Sequence, residues 1–597
     1  MTGPDFGAEL FLGRLRTDLL TLPADAPLKL SAAEEEFLAR LRRFCVTDVD
    51  GHLIERAGSI PDRVIERLKD LGALAIRIPR EYGGLGFSGA CYHRALMLVS
   101  SVHASLGELL AAHQAIGLPQ PLALFGTEEQ RRTFLPRCVR EISAFTLTEP
   151  ELGNDPFQVR TTAVRDLSSD TYTLNGVKLW ATNGVIADLL VVLARVPESG
   201  EGPGGTTAFV VEADSPGVTV EHRSEFLGLR GLENGVIRLH DVTVPACHRI
   251  GAEGAGLDIA LAAQETGRLS LPAVCAAAAK WSVKIAREWA GARVQGGRPI
   301  GAYDAVAGKL SFIAATAFAL EAMVEITGHH ADRRGTQVEA ELAKLFASEQ
   351  TWLVADELMQ IRGGRGYETA DSAVARGERG VPVERLLRDL RIGRIFDGSS
   401  EALRSYLAQA VLGRHRETEY REHVPRSGPE FTGRLGAHLR SARSSARRLA
   451  EQLRAFALHH DEASVDDRQR HLGRLIDIGA ELYAMAASCV YATAHASGGE
   501  GAVELADAFC AQSGRRVEAL FAQLTGNTDT GDRVVARRLL DERYVWLEED
   551  VIDTSVEGPW IAIPAPGPAT GPDLRRRVPK RRDPAAGGAV GARKGDQ

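Results

Sequence analysis

From about residue 30 to 143, apolar residues recur three and four positions apart, as in FLARLRRF and VIERLKDLGALAI. That spacing predicts helices with one buried stripe over 31–144. The period changes near residue 145. TYTLNGVKLW (171–180) alternates on either side of Asn175-Gly176, a hairpin signal. ADLLVVLARV, TTAFVVEA, GVTVEHR and GVIRLHDVTV follow as strand candidates separated by Gly, Pro and Ser. Residues 145–250 therefore read as a compact β domain. The helical period returns over 251–415, with Ala-rich stretches that suit closely approaching helices. A break at HVPRSGPEF (423–431) precedes a further helical region, 430–555, in which LIDIGAELYAMAASCVYA (475–492) has one apolar face. Residues 1–30 are weakly patterned and are expected to be loosely ordered. IPAPGPATGPD (563–573) is rich in Pro and Gly, and residues 575–597 carry eight basic and two acidic side chains, so 563–597 is expected to be a disordered basic tail. The expected fold is mainly α with a central β-barrel-like domain.

Composition narrows the function classes. The chain has 597 residues, 44% of them hydrophobic and 25% charged, with a net charge of -8. It is long enough for several domains, and it lacks the cationic field of a nucleic-acid binder. Its seven cysteines are scattered, with no CxxC pair and no Cys/His cluster, so no metal site is expected. Buried thiols in a reducing compartment and a cytoplasmic location follow as expectations. MTGPDFGAELFLGRLR lacks the charge pattern and apolar core of a signal peptide. The run AMAASCVYATA is shorter than the roughly 18 residues that span a membrane, which leaves at most peripheral membrane contact through the basic tail. Neither a P-loop nor a G-x-G-x-x-G after a strand is present.

Five segments carry candidate chemistry: FTLTEPELGND (145–155), KLWATNG (178–184), ARVQGGRPI (292–300), QIRGGRGY (360–367) and VERLLRDLRIGRIFDGSSEALR (383–404). In the first, a strand runs into a Gly-Asn-Asp turn that offers backbone N–H groups to a polar ring edge or phosphate. Trp180 and Thr182, two apart on a strand, are expected on one face as a flat apolar wall and a hydroxyl. A core Trp beside a surface Thr is the plainer alternative. Arg293 offers a rigid fork for pyrophosphate or simply a solvated helix-end charge. Asp397, before Gly398, is a candidate general base or, alternatively, the cap of the helix that follows.

In this order the five segments resemble the acyl-CoA dehydrogenase family of flavoproteins over roughly residues 35–412. The region after 430 is similar to the additional C-terminal helical domain of the very-long-chain type. The resemblance implies a helical, β, helical architecture and FAD as cofactor. It assigns FAD contacts to Phe145, Leu147, Thr148, Gly153, Asn154, Ser399 and Glu401, with Trp180 against the isoalloxazine and the Thr182 hydroxyl at N5. Arg293, Gln295, Gln360, Gly363 and Gly364 would reach the FAD of a neighbouring subunit, which implies a homo-oligomer, most simply a dimer. Glu265, Arg268 and Gly398 fall where the family handles the CoA thioester.

The family places a glutamate where this chain has Asp397, one methylene shorter. Some relatives carry the base on a middle helix instead; the equivalent position here is Gly267, which offers no acid. Asn154 and Gly296 depart from the family pattern as well. The implied reaction is α,β-dehydrogenation of an acyl-CoA to the trans-2-enoyl thioester. The enolate oxygen would be held by the Asp397 N–H and an FAD hydroxyl, and electrons would pass to an electron-transfer flavoprotein. Two alternatives stay open: a flavin oxidase, oxygenase or carrier-protein-linked dehydrogenase on the same scaffold, and a non-catalytic assembly protein. Residues 368–380 resemble an insertion with no assigned chemistry.

Overall fold

The computed structural model describes residues 5–21, 30–153, 158–199, 202–331, 337–417, 431–460, 465, 467–495 and 501–578. Its principal helices are α1 (Phe6–Phe11), α2 (Ala32–Thr47), α3 (Gly89–Val102), α4 (Ala104–Ala111) and α5 (Glu128–Cys138), followed after the strands by α6 (Gly256–Ala292), α7 (Asp304–Ala331), α8 (Gln337–Arg362), α9 (Val383–Arg391) and α10 (Ser400–Glu417). The additional region supplies α11 (Gly433–His459), α12 (Gln469–Ala494), α13 (Gly501–Ala522) and α14 (Asp529–Leu540). Local sequence explains several starts. Ser31 and Glu34 form a capping box on α2, and Thr127 and Gln130 form one on α5.

Eight strands, β1 (Ser143–Thr146), β2 (Thr162–Asp166), β3 (Thr171–Thr182), β4 (Leu189–Val196), β5 (Gly205–Glu212), β6 (Val218–Arg223), β7 (Asn234–Pro245) and β8 (Arg249–Ile250), form one sheet. The order is β6-β7-β3-β2-β4-β5-β8, with β1 parallel to β4. The sheet is open, which corrects the barrel-like expectation. β8 is two residues long, and β6 and β8 stand at opposite ends without pairing. β4 (LLVVLARV) is buried almost throughout because two apolar clusters sandwich it, so it shows no alternation.

Asn175-Gly176 does not turn the chain. β3 runs straight through it with a register shift against β7, and the true connection lies upstream, between β2 and β3. Gly176 is needed because Thr161 crosses there: a Cβ would meet Thr161 Oγ1 at 2.3 Å. The Asn175 side chain bridges to Asp241 in both directions, at 3.1 and 2.9 Å. The hairpin signal is spent on a bulge.

The second helical region continues the first without a gap. α6, α7 and α12 are each long and apolar enough to cross a membrane by length and composition, but 78%, 72% and 94% of their apolar windows are buried against neighbours in the fold. Residues 6–11 are helical rather than loose. Phe6 and Phe11 are buried, Phe6 packs on Tyr483 at 5.6 Å, and Phe6 N–H donates to Glu339 at 2.9 Å. One helical turn and a half has too short a pattern to announce itself. The tail is also partly anchored. Leu574 N–H donates to Val220 O on the outer edge of β6 at 2.9 Å, and Arg576 pairs with Asp62 and Glu233. Residues 579–597, where the rest of the basic tail lies, fall outside the described residues. Six cysteines are buried free thiols and Cys247 is exposed.

Candidate active site

The first two candidate segments meet directly. Leu179 N–H donates to Thr148 O at 2.8 Å, so residues 145–148 lie beside the end of β3. Phe145, Leu147 and Thr148 are half-buried, and the first two pack on the apolar cluster under the sheet. Behind them, Lys178 Nζ donates to Glu149 at 2.7 Å and to Leu193 O at 2.6 Å, and Thr161 and Arg160 N–H groups complete the Glu149 carboxylate. Burial would raise the Glu149 pKa, yet Lys178 and the hydrogen bonds from Thr161 and Arg160 together outweigh it, and the carboxyl stays below its ordinary range. This strut ties the two segments together from inside.

Trp180 does not follow plain strand alternation. It sits at φ 55° in a register shift between Lys178 and Ala181. The bulge re-aims the indole outward, 57% exposed, while Ala181 is buried and Thr182 half-buried. Asn234 Nδ2 then donates to both Trp180 O (2.9 Å) and Thr182 Oγ1 (3.1 Å), locking the pair. Gly153 is exposed, and Asn154 lies outside the described residues.

Asp397 stands in a left-handed turn (φ 51°) before α10. It does not cap that helix; Ser399 does, its Oγ accepting from Ala402 N–H at 3.2 Å. The Asp397 carboxylate is thereby left to other work. Burial pushes its pKa up, against the pull of Lys344 and Arg268. Lys344 Nζ donates to Gly398 O at 2.6 Å, fixing the turn from beneath, and burial brings the Lys344 pKa down to about 8. Arg268 lies against the same turn: a Cβ on Gly398 would stand 3.7 Å from its Nη2. The guanidinium pairs with Glu341 and donates to Gln264 at 3.1 Å. Burial raises Glu341 to about 7, against Arg268. Glu265 is half-buried on α6, and Glu401 is exposed in the first turn of α10.

A fourth group completes the cluster. Glu108 on α4 is buried, and burial followed by the Asp397 charge pushes its pKa up to about 8. The adjacent Leu109 O accepts from Asn183 Nδ2 at 3.0 Å, next to Thr182. The end of β3, α4 and the Asp397 turn are thus drawn to one place. Glu108, Glu341 and Lys344 carry no motif in the sequence. The available signal was charge inside otherwise apolar helices, as in AELAKLF. Gly267 packs on Ile116, where a Cβ would stand 2.7 Å from Cγ1, so a larger side chain there would have to displace that isoleucine.

The remaining candidates lie elsewhere. Arg293 ends α6, and Gln295 lies on a two-stranded hairpin, Val294–Gln295 with Arg298–Pro299, turning at Gly296-Gly297. Tyr303 explains Gly296: its hydroxyl donates to Gln295 O at 2.8 Å and would be 2.5 Å from a Cβ on residue 296. Gln360, Gly363 and Gly364 are exposed at the end of α8. Trp289 joins the two ends, donating to Ile361 O at 3.1 Å with Arg362 over its ring. Arg268 and Arg293 are 25 residues apart along α6, roughly 37 Å at 1.5 Å per residue. The structure therefore brings the candidates together in two groups rather than one.

Comparison with known proteins bears on both groups. The chain matches the acyl-CoA dehydrogenase N-terminal domain over 31–141, the middle domain over 144–242 and the C-terminal domain over 254–412. It is 50% identical over 618 residues to a probable acyl-CoA dehydrogenase FadE10 of Mycobacterium tuberculosis, covering 96% of this chain and 94% of that one. It is 30% identical over 564 residues to the human very long-chain specific acyl-CoA dehydrogenase, mitochondrial, covering 87% and 84%. An acyl-CoA dehydrogenase from Bacillus anthracis, crystallised in complex with FAD, shares the fold with a TM-score of 0.74 at 24% identity over 90% of this chain and 94% of that one. With all three domains matched in order and half the residues shared with a full-length relative, this chain belongs to the acyl-CoA dehydrogenase family.

Proposed function

We propose that the protein binds FAD and removes the α-proton and β-hydride of an acyl-CoA thioester, giving the trans-2-enoyl thioester, with electrons passed on to an electron-transfer flavoprotein. The observation that carries this reading is the Asp397 carboxylate, freed from helix capping in a half-buried turn whose Gly398 carbonyl is held by Lys344, with the charges of Lys344 and Arg268 acting on it.

The residues present fit a flavin. Trp180 offers an open indole face where a soluble protein would ordinarily bury it, with the Thr182 hydroxyl fixed beside it by Asn234. At Gly363 and Gly364 an added Cβ meets nothing within 4 Å, which leaves backbone free for close approach. When bound, FAD supplies the acceptor for the β-hydride. Phe145, Leu147 and Trp180 would wall it, and Thr182 would meet a ring nitrogen.

Asp397 takes the α-proton. Its raised pKa brings it toward the working range of a general base, and Lys344 sets the height of the turn through Gly398 O. Arg268, oriented by Glu341 and Gln264, keeps positive charge beside the turn. Glu108, protonated at neutral pH, closes the far wall without adding a second negative charge next to the base. Arg268 and Arg293 lie roughly 37 Å apart along α6, and this separation supports a homodimer in which each cofactor draws on the inner group of one chain and the outer group of the other.

An anaerobic titration tests this. Acyl-CoA thioesters of graded length should bleach the yellow flavin in the wild type. Asp397→Ala should stay yellow while retaining FAD. Equal bleaching in that variant would remove Asp397 from the mechanism.

A further inference from the structure

After α13 the chain leaves the bundle and crosses to the sheet. Both ends of this crossing are tied down. Asp529 accepts from Arg474 through two bonds of 2.7 Å, and Arg533 donates to Asp467 O at 2.9 Å. At the other end, Arg238 donates to Ala565 O at 2.8 Å, and Leu574 and Arg576 bond to Val220 O and Val185 O, each at 2.9 Å. Between the ties, the hydrogen bonds from Asp541 to Ser555 are all local. Nothing in the described chain covers the apolar side chains there. Leu540, Trp546, Ile552, Val556 and Trp560 are exposed, Trp560 completely and Val556 by 95%. Scattered exposed apolar residues are ordinary, but exposed apolar side chains recurring along the whole segment, two of them tryptophans, mark a contact surface.

Charge selects the occupant. Residues 529–563 contain nine acidic and four basic side chains, a net charge of -5. An anionic lipid surface would repel such a segment. The outer face of α11 has the complementary charge: residues 433–459 carry six arginines and one glutamate, a net charge of +5. Arg440, Arg443 and Arg447 are exposed there and form no ion pair among the described residues. A surface whose complement lies elsewhere on the same molecule pairs with another copy.

We infer that residues 541–563 form a strap that clasps a second copy of this chain, its apolar side chains buried against that copy and its acids facing the basic outer face of α11. This reading depends on neither FAD nor Asp397. It gives the region beyond the three family domains a role in assembly.

The full-length protein carrying benzoylphenylalanine in place of Trp546, Ile552 or Trp560 tests it. Irradiation should give a product of twice the chain mass, with cross-links mapping to a second chain at 433–459. Arg443→Glu with Arg447→Glu should reduce that product at least fivefold while leaving flavin content unchanged. The inference is overturned by intrachain products alone, by no product at all three positions, by a yield indifferent to the arginine reversals, or by pelleting with phosphatidylserine vesicles in place of the chain-to-chain product. Flavin content and bleaching are read on the same samples, so failure of the strap and failure of the dehydrogenase reading separate.

Discussion

The two ends of α6 make opposite use of their polar residues. Near Arg268 the charges of Arg268, Glu341, Lys344 and Glu108 are buried and have counterparts: Glu341 on the guanidinium, Lys344 on the Gly398 carbonyl, and Glu108 facing the charge of half-buried Asp397. Near Arg293 the backbone is open, Gln295 and Gln360 are exposed, and the glycines at 363 and 364 face empty space. The inner group is preorganised, since charges desolvated during folding need not be desolvated again during turnover. The outer group is open backbone and exposed side chains, with no such internal pairing around Gln295, Gln360 and the two glycines. One helix thus carries a closed, charged cluster at one end and an open, polar surface at the other.

The contrast can be broken one half at a time. The largest effect is expected from Asp397→Ala, which should slow flavin reduction by about 10²–10⁴, the usual scale for a lost general base, with FAD content unchanged. Next, Arg293→Ala with Gln360→Ala should weaken FAD binding by roughly 10–100-fold, on the scale of a few hydrogen bonds to charged groups, as measured by flavin retained after gel filtration. Mixing and refolding the two variants together should restore bleaching, because one of the two sites in a mixed dimer then has both halves intact. No recovery on mixing would place both halves in one chain.

Smaller changes sharpen the picture. Lys344→Met removes the ammonium that holds the Asp397 pKa down. The base must be ionised to act, so the acid limb of the kcat/KM profile should move to higher pH, by about one unit. An unmoved limb would mean that Lys344 only supports the turn. Smallest is Gly267→Ala. Alanine gains up to about 1 kcal/mol of helix propensity, but its Cβ meets Ile116 and overpacking costs about 1–3 kcal/mol. A net loss of roughly 1 kcal/mol in denaturant titrations is expected, relieved by Ile116→Val.

The sequence showed the helical and β segments wherever one face meets solvent, since periodicity records only that contrast. It failed where burial is complete, as along β4, and where a local signal serves another end, as at Asn175-Gly176. Within the site, Trp180 and Thr182 were legible as residues but not as geometry, because the left-handed bulge depends on Asn234, more than fifty positions on. Whether Asp397 or Ser399 caps α10 turned on one hydroxyl placement. Glu108, Glu341 and Lys344 stayed hidden because a charge in an apolar helix gives no sign of which distant charge it meets.

The short helix at Phe6–Phe11 has a consequence for how the chain is made. Its groove is built by Tyr483 and by Gly479, where an added Cβ would strike the Phe11 ring at 2.3 Å. Some 470 residues must be translated after Phe11 before that groove exists, roughly 20–90 s at ordinary elongation rates. For that interval two phenylalanines and a leucine are bare on the nascent polypeptide, so the start of the message is where chaperone capture should concentrate.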